Sequence, residues 1–167
     1  NNTDDQEASY SGRLIIDNGN LKNTLFYNKT IIQRNVNNYS GAGRNNSNHD
    51  GKKDNFKGER NAINLLGEYN FNLDTKIVYG LDNEFDQVNM NTYYTGYNYK
   101  TEKERIYSQY VDLQLRPTEK LFSTIGFRLD THQRAGTYET ARATFAYKID
   151  NNTKLRSAFG TGVRFGA

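Results

Sequence analysis

The stretch Leu121–Ile149, LFSTIGFRLDTHQRAGTYETARATFAYKI, decides the fold because its side chains change character at every second position. Leu121, Ser123, Ile125, Phe127 and Leu129 fall on one face of an extended chain, and Thr124, Gly126, Arg128 and Asp130 on the other. A period of two marks a β-strand, whose successive side chains point to opposite sides. After the connection THQRAG, Thr131–Gly136, the alternation resumes. Ala141, Ala143, Phe145, Tyr147 and Ile149 oppose Thr140, Arg142, Thr144 and Lys148. Two strands joined by so short a connection form an antiparallel hairpin.

The same rule applied outward predicts eight strands. DNNT, Asp150–Thr153, turns the chain into a last strand with Leu155, Ser157 and Phe159 opposed by Arg156, Ala158 and Gly160. PTEK, Pro117–Lys120, follows a strand in which Tyr107, Val111, Leu113 and Leu115 alternate with Ser108, Tyr110, Asp112, Gln114 and Arg116. Earlier strands are expected over Ala8–Asp17, Leu21–Arg34 and Asn61–Phe71, and around Ile77, Tyr79, Leu81 and Phe85 opposed by Lys76, Gly80, Asp82 and Glu84. The second is blurred, because Phe26 and Ile32 fall out of phase with Leu25, Tyr27 and Ile31. DNGN, Asp17–Asn20, and NLDT, Asn72–Thr75, read as tight turns. Asn35–Arg60 and Asp86–Lys103, rich in polar and turn-forming residues, read as long solvated loops.

Connections that run short, long, short, long, short, moderate, short describe an outer-membrane β-barrel, with tight periplasmic turns and long external loops. The chain has 35% hydrophobic residues and a mean hydropathy of -0.94. Neither value opposes that reading. A spanning strand puts only alternate residues into lipid over about 9–11 positions, whereas a spanning helix needs roughly 18 consecutive apolar residues. No such run exists here. Thirteen Tyr and nine Phe suit strands and membrane boundaries. Tyr69, Phe71, Tyr79 and Tyr147 would form part of an inner girdle, and Tyr10 and Tyr107 part of an outer one. A soluble sandwich or small closed barrel would also alternate, but would not gather its tight turns at one end. On this topology both chain ends lie outside, so the expectation is an all-β, antiparallel transmembrane segment of about eight strands cut from a larger barrel. The opening NNTDDQEASY carries no secretion signal.

The residues Gly126-Phe127-Arg128-Leu129-Asp130, then Gly136, TARATFAYKI and KLRSAFGTGVRFGA resemble the barrel of TonB-dependent outer-membrane receptors. That family shows a strand ending Gly-x-Arg-x-Asp, a short Gly-containing loop, a strand with Thr-x-Arg, and a strand closing Gly-x-Gly-Phe-Arg. Here Gly160, Gly162 and Arg164 match, with Val163 in place of the aromatic. RIYSQYVDLQLRPTEKLFSTIGFRLD is similar to the strand pair before the motif, and the stretch from LKNTL to GLDNEF is most like vitamin B12 or ferric-siderophore receptors. The resemblance implies that residues 1–167 are roughly a third of a 22-stranded barrel, without the plug domain or the segment that engages TonB. It further implies active transport of cobalamin or a ferric siderophore across the outer membrane of a Gram-negative bacterium, energised through TonB. The implied partners are outer-membrane lipid, the TonB complex by way of the missing plug, and a small metal chelate or cobalamin. A self-contained eight-stranded outer-membrane protein with an adhesin or small-porin role is the alternative.

Candidate site residues follow from the phase. Asp112, Arg116, Arg128, Asp130, Arg142 and Arg156 point toward a lumen, where they would meet a plug or substrate or simply pair with one another. Tyr93, Tyr94, Tyr97 and Tyr99, in an external loop, offer amphipathic contacts to a ligand. No enzyme is expected. There is no Cys, and His132 near Asp130 lacks a nucleophilic Ser in a strained elbow. No metal or cofactor is assigned, since Asp50 and Asp54 depart from the EF-hand spacing and Lys52 and Lys53 would repel a cation. His49, the other histidine, is placed in a loop. Asn28-Lys29-Thr30 and similar triplets carry no weight in so Asn-rich a chain. A net charge of +3 with interleaved signs gives no nucleic-acid footprint.

Overall fold

The computed structural model describes residues 2–38, 52–91 and 100–162. Every regular element among them is a strand: β1 (Asn2–Asp17), β2 (Leu21–Asn38), β3 (Lys52–Asn70), β4 (Thr75–Asn91), β5 (Lys100–Leu115), β6 (Leu121–His132), β7 (Gly136–Lys148) and β8 (Lys154–Gly160). They lie in one sheet in chain order, each bonded to its neighbours in sequence. Among the described residues β1 and β8 are not paired, so each has a neighbour on one side only.

Register converts the alternation into faces. Leu113 opposes Ile125, Ile125 opposes Ala143, and Ala143 opposes Phe159. One row lower, Leu115, Ser123, Phe145 and Ser157 line up in the same way. These rows share a face that nothing covers: no hydrophobic side chain among the described residues is buried, while Phe127 is 62% and Phe159 68% exposed. A water-soluble sheet of this size would fold its apolar face inward to escape water. This sheet turns it out, which is the pattern of a wall solvated by lipid.

The described residues group into two compact units. One holds Gly12–Tyr27, Ile63–Asn83 and the residues from Arg105 onward; the other holds the described residues of 1–11, 28–62 and 84–104. The first contains five tight turns. At Asn18–Asn20, Gly19 takes φ +73° and its N–H donates to the Asp17 carboxylate at 3.1 Å. At the β7–β8 turn the Asp150 carboxylate accepts N–H bonds from Asn152 and Thr153, each at 2.8 Å. Such side-chain caps replace ladder bonds lost in the turn.

Three expectations need correction. β2 continues to Asn38 and β3 begins at Lys52, so 35–38 and 52–60 of the predicted loop Asn35–Arg60 are strand; β4 likewise runs to Asn91 and β5 starts at Lys100, inside the predicted loop Asp86–Lys103. β1 starts at Asn2, ahead of the expected Ala8. These extensions are mostly polar, with Val36, Phe56, Val88 and Met90 as isolated apolar residues, so they carry little amphipathic signal, and cross-strand ion pairs join them. The β6–β7 connection, expected to be moderate, is a three-residue turn over 133–135, closed by Gly136 at φ +91°, the left-handed position such a hairpin requires.

Candidate functional site

The polar face of the first unit is organised around a glycine. Asp112 opposes Gly126 across β5 and β6, and Gly126 opposes Arg142 across β6 and β7, which puts one acid and one base on either side of a residue without a side chain. Arg142 reaches over the gap: Nε donates to Asp112 Oδ1 at 3.1 Å and Nη2 to Oδ2 at 2.6 Å. A Cβ at position 126 would run into the Asp112 carboxylate. Asp112 is only 7% exposed, and this two-pronged contact satisfies a carboxylate that burial would otherwise penalise.

One row away, Tyr110 opposes Arg128. The Tyr110 ring lies over Gly80, and the Arg128 guanidinium lies 5.5 Å from the centre of that ring, within cation–π range. Arg128 also donates to Asp130 at 2.9 Å and faces Asp82 at 3.5 Å, while Asn64 donates to Asp82 at 2.9 Å. A polar chain thus runs from β3 to β6. Beside it Tyr110, Asp112, Gly126, Arg128, Thr140 and Arg142 border a shallow concavity of about 280 Å³.

Of the six residues nominated on this face, four are drawn into these two clusters: Asp112 with Arg142, and Arg128 with Asp130. Arg116 is elsewhere, donating from Nε to Asp74 of the β3–β4 turn at 2.6 Å, where it pins that turn. Arg156, on β8, opposes Ala146 and joins neither cluster. Tyr93, Tyr94, Tyr97 and Tyr99 lie outside the described residues, as do His49 and Asp50. His132 Nδ1 accepts N–H bonds from Arg134 and Ala135 of its own turn, and the Asp130 carboxylate is engaged by Arg128. Asp82, Asp74 and the bridged Gly126 escaped the sequence reading. Counting back from the PTEK and THQRAG turns would have put Asp112, Gly126 and Arg142 in one row.

In the second unit ion pairs hold both faces. Arg34 forks onto Asp5 at 2.8 and 2.9 Å, and Arg60 onto Asp86 at 2.8 and 2.7 Å, with Glu84 at 3.3 Å. Lys29 meets Glu59 at 2.7 Å. The hydrogen bond from Arg34 holds the Asp5 carboxyl below its ordinary range, and the one from Lys29, helped by Asn61, does the same for Glu59. Both remain charged at neutral pH.

A β-barrel family model described as "TonB dependent receptor-like, beta-barrel" matches residues 1–167, the full length of the chain. The chain belongs to the TonB-dependent receptor-like β-barrel family. Two solved structures share its fold. The siderophore receptor PirA from Acinetobacter baumannii superposes with a TM-score of 0.68 at 16% identity, over 93% of this chain and 25% of that one. The copper transporter OprC superposes with a TM-score of 0.63 at 14% identity, over 95% of this chain and 30% of that one. The chain therefore spans 25% and 30% of the length of these two structures. No curated protein sequence matches it.

Proposed function

We propose that these eight strands are a contiguous part of the wall of a larger outer-membrane uptake receptor in a Gram-negative bacterium. Its substrate is a scarce nutrient such as a ferric siderophore or cobalamin, moved at the expense of energy delivered through TonB. The observation that carries this is the uncovered apolar face of β5–β8 and its neighbours, opposite a face of paired charges. In hydrocarbon every backbone group needs an internal partner, so a spanning sheet must close. The free outer edges of β1 and β8 ask for further strands, and family membership supplies the precedent. In this reading Asp112, Arg116, Arg128, Asp130, Arg142 and Arg156 line the lumen, and TonB acts by way of a plug that the eight strands do not themselves form. The self-contained eight-stranded alternative requires β1 to pair with β8, which the described residues do not do.

The test uses the full receptor in its host. Uptake of radiolabelled ferric siderophores and of cobalamin is compared in cells with and without TonB. Accumulation that stops without TonB is expected. Uptake that proceeds equally in both strains would overturn the energised mechanism.

A further inference from the structure

We infer that the polar face of the first unit, at the turn ends of β6, β7 and β8 on either side of Ala146, binds a small polyanion carrying several phosphate or carboxylate groups. This goes beyond the uptake reading and does not depend on what is taken up.

The site begins with a row of like charges. The Lys148 N–H donates to the Lys120 carbonyl at 2.8 Å, and Lys148 opposes Lys154, so three lysines stand side by side across the three strands. The next row on the same face is Phe122, Ala146 and Arg156. Like charges set opposite one another destabilise a sheet, and none of these four cations meets a carboxylate among the described residues. Arg116 and Lys76, on the same face, are already committed to Asp74 and Glu68. Of the two acids in the adjoining turns, Asp150 is held by the N–H groups of Asn152 and Thr153, and Glu119 is exposed and pairs with no cation. Further along the face the row Gln114, Thr124, Thr144 and Ala158 carries no charge, and beyond it Asp112 is closed by Arg142. The positive surplus is therefore local.

The surface is also hollow there. Ala146 leaves a gap between Phe122 and Arg156, and across it the Lys154 ammonium lies 5.9 Å from the centre of the Phe122 ring, at the limit of a cation–π contact. A concavity of about 450 Å³ is bordered by Phe122, Thr124, Thr144, Ala146, Arg156 and Ala158. These make up two rows of the polar face, against one row of the other, so the concavity opens on the polar side. Its volume is that of a small-molecule site, which favours a small anion over an acidic protein segment. The donors suit phosphate or carboxylate oxygens: two threonine hydroxyls, a guanidinium that can fork onto two oxygens, and lysines as point charges. Lys120 and Lys154 are two strand spacings apart, about 10 Å. A molecule with anionic groups several ångströms apart answers more of these charges than a single anion does.

The test is equilibrium dialysis of the purified full receptor in low salt against tripolyphosphate, tricarballylate, inorganic phosphate and a polyglutamate peptide. At least one of the two small polyanions is expected to bind about tenfold or more tighter than inorganic phosphate, and the tighter of the two tells a phosphate ligand from a carboxylate one. Lys148→Gln and Arg156→Gln should each weaken it about two- to fivefold, the scale of one exposed charge contact. Ala146→Phe, which fills the hollow and leaves every charge in place, should abolish the preference over inorganic phosphate. Lys103→Gln, outside the site, should change nothing. Unaltered heat-modifiable migration on gels shows that each variant is folded. The inference is overturned if neither small polyanion outbinds inorganic phosphate, if the peptide binds tighter than both, if Lys148→Gln and Arg156→Gln leave the affinity unchanged, or if Lys103→Gln lowers it as much as they do. Each of these failures leaves the uptake reading standing, because that reading is judged by TonB dependence of transport.

Discussion

Glycine 126 matters for what its neighbours do with the space. The Asp112–Arg142 contact spans a whole strand only because position 126 offers no side chain. Tyr110 uses Gly80 in the same way, and on the apolar face Tyr79 lies over Gly67 to donate its hydroxyl to Asn23 at 2.9 Å. That last contact satisfies a polar amide on the apolar face, where an unpaired group would be expensive if lipid is the solvent. Gly126→Ala is expected to displace the Asp112 carboxylate and lower stability by about 1–3 kcal/mol, the range for forcing extra atoms into a filled site. Gly12→Ala, whose new Cβ would meet nothing within 4 Å, should be neutral or stabilise by up to about 1 kcal/mol by restricting the unfolded chain. Urea titration of the full receptor folded into liposomes measures both. Equal losses at the two positions would contradict the bridging role. Asp112 and Arg142 were readable individually from their phase. Their partnership was not, because it depends on register across three strands, which alternation alone leaves open by any even shift.

Turns and strand ends divide between what pattern reveals and what it hides. The turns at 17–20, 72–75, 117–120 and 150–153 were visible because Asn, Asp, Gly and Pro have local chemical reasons to be there. The ends of β2, β3, β4 and β5 were hidden because apolar residues are sparse there: in β3, Asn55, Lys57 and Glu59 leave one face polar, and on the other Phe56 stands alone among Asp54, Gly58 and Arg60, so the stretch mimics a loop. What keeps them extended is non-local: Lys29 with Glu59 and Arg60 with Asp86, from strands far apart in the sequence. At the β7–β8 turn the N–H groups of Asn152 and then Thr153 hold the Asp150 carboxyl below its ordinary range. A carboxyl whose folded pKa lies below its unfolded one contributes stability that is complete above the unfolded value, about 3.9 for Asp, and is lost as pH falls through the folded value. Asp150→Asn should therefore be less stable than the wild type at neutral pH, by an amount that stays constant down to about pH 5 and shrinks in more acid solution. Heat-modifiability midpoints across pH follow this difference. A gap that widens on acidification would assign the opposite sign to this turn.

The sheet has an uncovered apolar face, and a bilayer answers to depth in a way that no protein interior does. Ala143 lies in the row Leu113, Ile125, Ala143, Phe159, between the row Val111, Phe127, Ala141 and the row Leu115, Ser123, Phe145, Ser157. Gln109 lies two rows away, in the row Gln109, Leu129, Glu139, where polar side chains begin to occupy the same face. If lipid is the solvent, Arg introduced near the midplane costs about 2–4 kcal/mol and Arg near the interface about 0–1. Ala143→Arg should fall in the first range and Gln109→Arg in the second, while Thr144→Arg, on the opposite face next to Ala143, should cost little because it enters water. The three variants of the full receptor, refolded into vesicles and compared by urea titration, separate face from depth. A buried soluble interface would penalise an apolar-face Arg according to packing and without regard to row. A bilayer fixes the order Ala143, then Gln109, with Thr144 near zero, and equal costs at Ala143 and Thr144 would remove lipid from the outward face.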